Sequence, residues 1–311
     1  MNKQLASSVL MIRPHQFFSN PLTAQSNKFQ GKSSLSGEQL HACALKEFDA
    51  LVANLREVGV DVILFDDTPE PPTPDSVFPN NWVSFHTNGT VVLYPMEAKN
   101  RRTERREDII SSLKDNYGFS VQQIVDLTHH ESQERYLEGT GSMVLDHANK
   151  IAYACLSSRT NINVLHDFAR KMDYSVTAFD AVDRLGSPIY HTNVMMSVGE
   201  SLAIICDDSI QSKSQREKVL SSLNKTNHKI LKITFEQMEA FAGNVLEVLS
   251  DTGEHLLLMS NQAMNSFSRQ QIKLINAYAR IIAVSINNIE NSAGGGVRCM
   301  MAEINLPKKK R

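Results

Sequence analysis

Trp82-Val83-Ser84-Phe85-His86-Thr87-Asn88-Gly89-Thr90-Val91-Val92-Leu93-Tyr94 sets two short apolar runs on either side of an Asn-Gly pair. An Asn-Gly pair between alternating apolar runs is the strongest short-range signal for a β-hairpin. A charged helical stretch over about 102–116 follows, and then a third extended run at 120–125. The unit reads strand, strand, helix, strand.

The same order recurs on both sides. Upstream, Ser8 to Ile12 reads as a strand. A long polar loop, a helix over about 37–58 and a strand at 60–65 follow it. Downstream, 142–145 and 151–155 form a hairpin, with a helix over about 161–172 and a strand at 175–179. A fourth unit runs through 193–197, 202–206, a helix at about 212–223 and a strand at 229–233. A fifth runs through 245–248, 255–259, a helix at about 269–279 and a strand at 281–285. A last strand, Arg298 to Ile304, has no late partner and is expected to pair with the first unit.

Five ββαβ units fit one toroidal α/β domain over 1–311, a five-bladed propeller with pseudo-fivefold symmetry. Ring closure removes exposed sheet edges. The competing architecture, an open doubly wound sheet, needs parallel crossovers, whereas the hairpins are antiparallel. No G-x-G-x-x-G follows a strand. Residues 1–7 and 307–311 are expected to be flexible. The polar segment Asn20 to Ser36 reads either as a lid or as a mobile loop.

The chain has 311 residues, 41% hydrophobic and 21% charged, with net charge −2. That balance gives no reason to expect nucleic acid or a membrane surface as partner. No apolar run is long enough to span a bilayer. Met1 to Pro14 lacks an apolar h-region and is not expected to be a secretory signal. Cys43, Cys155, Cys206 and Cys299 are widely spaced, which argues against a disulfide framework and for a reducing, cytoplasmic setting. Lys308 to Arg311 reads as a solvated basic tail.

Cys299 follows Gly294-Gly295-Gly296 and adjoins Arg298. A free cysteine is usually buried and inert. A glycine run that permits close backbone approach, and a neighbouring cation that favours the thiolate, make this one a candidate nucleophile. His191 precedes a strand and can move a proton near neutral pH, although a lone histidine is more often structural. Glu138 lies in Leu137-Glu138-Gly139, where glycines permit a turn that aims one side chain inward. Asp75 to Trp82 contains Asn80 and Asn81, whose amides both donate and accept. Arg101 and Arg159 each follow a hairpin and precede a helix, where a guanidinium fork suits a carboxylate. His129-His130 reads as a solvated pair, and no spacing suggests a metal or other cofactor.

Together these segments resemble the guanidine-modifying hydrolases and transferases of the pentein superfamily. The likeness is to dimethylarginine dimethylaminohydrolase and to the arginine-deiminase-related citrulline hydrolases, and it spans nearly the whole chain. It implies the same five-unit propeller with one central site. Cys299 matches the family's nucleophile, His191 its catalytic histidine and Glu138 its carboxylate. Asp75 to Phe78 matches an Asp-x-Val-Phe segment. Arg101 and Arg159 match arginines that hold the substrate's α-carboxylate.

Two departures bear on substrate. Pro79-Asn80-Asn81 stands where the dimethylarginine enzymes continue Val-Glu-Asp, and Thr140-Gly141-Ser142 where many relatives have Gly-Gly-Asp. A carboxylate only accepts hydrogen bonds and suits a cation, whereas an asparagine suits a neutral ureido group. The expectation is therefore a cofactor-independent C–N hydrolase of a free amino acid, L-citrulline before arginine. Arginine deiminase, dimethylarginine hydrolase, amidinotransferase and a non-catalytic amino-acid sensor are the alternatives. A homo-oligomer is left open.

Overall fold

The structure, a computed structural model, describes residues 3–31 and 33–309. Its hairpin of β3 (Val83–Phe85) and β4 (Thr90–Leu93) has Ser84 opposite Val92, and Gly89 takes φ +80° in the connecting turn. The chain then crosses over through helix Glu107–Asp115 to β5 (Gln123–Asp126), which lies parallel to β4. Three further sheets repeat this plan. They are β6 (Val144–Asp146), β7 (Ile151–Cys155) and β8 (Ser175–Phe179); β9 (Met196–Val198), β10 (Leu202–Ile205) and β11 (Lys229–Lys232); and β12 (Leu246–Leu249), β13 (His255–Ser260) and β14 (Arg280–Val284).

The fifth sheet closes the ring. Here β1 (Ser8–Arg13) pairs in parallel with β2 (Asp61–Asp66) and antiparallel with β15 (Ala302–Glu303), Val9 opposite Glu303. The expected long strand at 298–304 is thus shorter. Val297–Met300 forms a 3₁₀ turn instead, and only the residues after it extend. This is the five-unit α/β propeller that the repeats imply.

Each crossover helix covers its own sheet for a reason visible in its sequence. Helix Gly37–Glu57 opens with a capping box between Ser36 and Gln39, and buries Leu40, Ala44, Phe48, Leu51, Val52 and Leu55 along one stripe. These six pack with Val9, Met11 and Val62 of the first sheet. At about 1.5–3 kcal/mol per large buried side chain, the stripe contributes on the order of 10 kcal/mol before the entropy of ordering. The helix expected at 102–116 is split. Lys99–Glu104 is a separate 3₁₀ segment, because Arg101 and Glu104 turn inward together.

Described residues near both ends pack against the ring. Leu5 and Ala6 are buried, and Gln4 donates to the carbonyls of Leu145 and Val198 at 3.1 Å. Pro307 accepts from Ser120 N, and Lys309 N donates to Gly118. Residues 1, 2, 310 and 311 lie outside the described residues. Among the described residues no helix is long and apolar enough to cross a membrane.

Candidate active site

Every sheet is preceded by a short turn, and the turns meet at the centre. They are Pro79–Asn81, Gly139–Ser142, Thr192–Met195, the turn through Phe241 to Gly243, and Val297–Met300. Glu138 and His191 are the residues that open the second and third turns. Asn81, Glu138, His191, Asn244 and Cys299 therefore recur at intervals of about 55 residues, one per repeat. The turns approach closely where glycine permits it. A Cβ on Gly141 would lie 2.5 Å from Asn81 Nδ2 and 2.7 Å from His191 Nδ1.

A small cavity lies among these turns, lined by Asp75, Asn81, Arg101, Arg159, His191 and Cys299 with Phe78 and Tyr190. Glu138 stands behind this wall, fully buried, with Oε2 2.9 Å from His191 Nε2 and Oε1 accepting from Glu97 N at 3.0 Å. Burial alone would raise its carboxyl. The Arg159 charge and the His191 bond outweigh burial and hold it well below the usual carboxylate range. Burial pushes His191 down, against the pull of Glu138. A carboxylate accepts only, so Nε2 carries the proton and Nδ1 keeps a free lone pair.

Arg101 differs from its expected role. Its fork is taken inside the protein by Glu104, Nε and Nη2 each 2.9 Å from a carboxylate oxygen. Its remaining nitrogen, Nη1, donates to Asn81 Oδ1 at 2.8 Å. No pair of nitrogens is left for a substrate carboxylate. Asn80, also expected at the substrate, is buried behind Asn81 and accepts from Asn81 Nδ2 at 3.1 Å. Arg159 lies across the ring of Tyr190, 5.0 Å from its centroid, and reaches Glu138 at 3.4 Å.

The thiol side is neutral. Cys299 Sγ is buried and receives Asn244 Nδ2 at 3.2 Å and Asn193 Nδ2 at 3.4 Å. Burial raises its pKa, with the two amides and Arg298 acting in the opposite direction. The polar segment after Asn20 lies over the cavity, as a lid does. Asn20 donates to Asp75 at 2.8 Å, Ser26 to Glu97 at 3.0 Å, and Asn27 to the Ala293 carbonyl at 3.0 Å. Thr23 and Asn27 form part of the wall.

Sequence reasoning missed Asn193, Asn244 and Glu104. The repeat spacing carries a signal for Asn244, since Gly243-Asn244 precedes a strand as the other site residues do. Glu104 gave none, because only burial distinguishes it from the surface charges beside it. On the outer surface, His129 and His130 cluster with Asp167. That carboxylate is already paired with Arg170 and Lys171, which compete with any ion there.

Residues 13–306 match the family described as eukaryotic N,N-dimethylarginine dimethylhydrolase. The chain belongs to that family. No curated protein matches the sequence. Among solved structures, the fold is similar to ArgZ, an arginine dihydrolase of the ornithine-ammonia cycle in cyanobacteria. The two share 18% identity at TM-score 0.73, over 97% of this chain and 41% of that one. Unliganded AgrE is similar at 17% identity and TM-score 0.73, over 98% of this chain and 40% of that one. Dimethylarginine dimethylaminohydrolase in its S-methyl-L-thiocitrulline adduct aligns at 17% identity and TM-score 0.62, over 98% of this chain and 100% of that one. The chain spans about two fifths of full-length ArgZ and AgrE, and 99% of a structure of the ArgZ N-terminal domain.

Proposed function

We propose that the chain hydrolyses the ureido group of a free amino acid, most simply L-citrulline, to ornithine, ammonia and carbon dioxide. The observation that carries the specificity is the contact of Arg101 with Asn81. A guanidinium has only donors, so the oxygen of the Asn81 amide must face Arg101, and the amide nitrogen is the atom turned away from it. One N–H of that nitrogen goes to Asn80 Oδ1, and the other suits a ureido oxygen and repels a guanidinium, which has no acceptor.

Cys299 attacks the ureido carbon as thiolate, having passed its proton to His191 Nδ1. The Sγ–C bond forms and the bond from carbon to the ornithine nitrogen breaks, with His191 returning the proton to that nitrogen. His191 then activates a water that displaces the sulfur. Carbamate leaves and decomposes to ammonia and carbon dioxide. Glu138 stays ionised, holds the reactive tautomer of His191 and stabilises its cation. Arg159, once released by Ser26 and Thr23 of the overlying segment, and Asp75 hold the carboxylate and ammonium of the amino acid.

Arginine is the second reading, favoured by the Asp75 carboxylate in the wall and by arginine bound to the structurally similar AgrE. Purified protein incubated with citrulline, arginine and methylated arginines decides between them, with ornithine, ammonia and citrulline followed over time. Ornithine and ammonia from citrulline are expected. Turnover of arginine with citrulline inert would overturn the specificity argument. Transfer to an added amine would make the protein an amidinotransferase, and binding without turnover a sensor.

A further inference from the structure

We propose that Asn193 and Asn244 are catalytic residues, a pair of neutral amide donors that stabilises the thiolate form of Cys299. The inference deepens the preceding reading, since it concerns the same sulfur. Asn244 Nδ2 lies 3.2 Å from Sγ and Asn193 Nδ2 lies 3.4 Å from it. The orientation of Asn244 is fixed by a third group. Its Nδ2 also donates to the Asn193 carbonyl at 2.9 Å, and a carbonyl only accepts. One N–H therefore goes to the backbone and the other to the sulfur.

The amide oxygens complete the argument. Asn193 Oδ1 and Asn244 Oδ1 are both buried and have no hydrogen-bond partner among the described residues. Buried acceptors are normally satisfied, and leaving one idle is destabilising. A neutral thiol offers a weak donor and would be met by an amide oxygen. A thiolate only accepts and is met by amide nitrogens. Two buried amides that turn their nitrogens to one sulfur and leave their oxygens idle are arranged for the anion.

No cation is placed against the sulfur to do this work. Arg298, its neighbour in sequence, spends its fork on the Met301 carbonyl and on Glu303. Arg101 is held by Glu104, and His191 by Glu138. The titratable and charged groups facing the thiol across the cavity are Asp75, Arg101, Arg159, Tyr190 and His191. None of them has a hydrogen bond to Sγ. The two amides are the only polar side chains within hydrogen-bond reach of it among the described residues.

Gly296 makes room for the arrangement. A Cβ there would stand 2.8 Å from Asn244 Oδ1, so the amide occupies the space a side chain would take. Gly296→Ala therefore displaces Asn244 without altering its chemistry.

The experiment is the pH dependence of iodoacetamide alkylation at Cys299, read by mass spectrometry of the labelled peptide without substrate. The thiolate displaces iodide, the S–C bond forms, and the proton has gone to solvent. A hydrogen bond to an ion is strong enough that losing one raises the midpoint by about one pH unit. That rise is expected for Asn244→Ala and Gly296→Ala, and a smaller one for Asn193→Ala. Asn244→Ser keeps a donor and is expected to recover part of the shift. Asn244→Asp, isosteric but anionic, is expected to shift furthest. Unfolding midpoints identify any variant that has lost its fold, and the comparison then rests on Ser against Asp at position 244. Unchanged midpoints in the folded variants, or Asp no worse than Ser, would overturn the proposal. Because no substrate is used, inertness toward citrulline leaves the result intact, and a failed shift leaves the substrate reading standing.

Discussion

The two walls of the cavity are built on opposite electrostatic plans. On the Glu138 side, Arg101, Arg159, Asp75, Glu104 and Glu138 form a dense buried network in which each charge has a partner within 4 Å. On the Cys299 side the sulfur meets two neutral amides and no ion pair. The difference separates two tasks. Charges that neutralise one another fix geometry: Arg101 orients Asn81, and Glu138 orients His191. The group that must change charge during reaction is kept among dipoles, which stabilise an anion without locking it into a salt bridge.

Removing the thiol breaks the comparison most severely. Cys299→Ala is expected to lower kcat by about ten-thousandfold or more, with the amino acid still bound, as steady-state kinetics and calorimetry would report. Breaking the charged wall should be felt first in folding. Arg101→Met leaves Glu104 buried without its partner and is expected to cost about 3–5 kcal/mol in denaturant unfolding. The double change with Glu104→Met should recover most of that loss. If the single variant is as stable as the wild type, the network is not what holds this wall.

Glu138→Gln keeps shape and removes charge. It is expected to lower kcat by about a hundredfold, because the amide no longer stabilises the His191 cation. It should also lower the histidine's pKa, since Glu138 now pulls it up. Asn81→Asp carries charge to the edge of the site and should move the ratio of kcat/KM for citrulline over arginine toward arginine by about 10- to 100-fold. A ratio that stays put would remove Asn81 from the specificity argument.

The smallest effect concerns pH and stability. The folded-state pKa of Glu138 lies below its unfolded value. Its contribution to stability is therefore complete above the ordinary glutamate range, and is lost as pH falls through that range toward the lower folded value. Wild-type Tm should consequently fall more steeply than that of Glu138→Gln between about pH 5 and pH 3, in a scan of both proteins in the same buffers.

Much of the fold was legible because its signals are local. Asn88-Gly89 specified a hairpin whose strands lie where the alternation put them, and the helix expected over about 37–58 runs over Gly37–Glu57. The closing strand was read one turn too early, since Val297–Met300 is apolar enough to extend and is turned only by its neighbours in space. Cys299, His191 and Asn81 fall on the cavity wall, with Glu138 directly behind. Arg101 was read as a free fork because its partner Glu104, three residues on, looks like any surface glutamate in a charged run. Asn193 carries no residue-level mark, and Asn244 only its place before a strand in the repeat. Their contribution arises from convergence on one sulfur across separate repeats.

The pairing of β15 with β1 has a consequence for how the protein comes into being. Val9 finds Glu303 only after nearly three hundred intervening residues have been made. On the ribosome, four sheets can condense from neighbouring segments while the first lacks its third strand. The turn bearing Cys299 emerges just ahead of that strand. The long contact order of this one seam makes its closure a late event in folding. Recovery of activity on refolding would then serve as a clock for the final stitch of the ring.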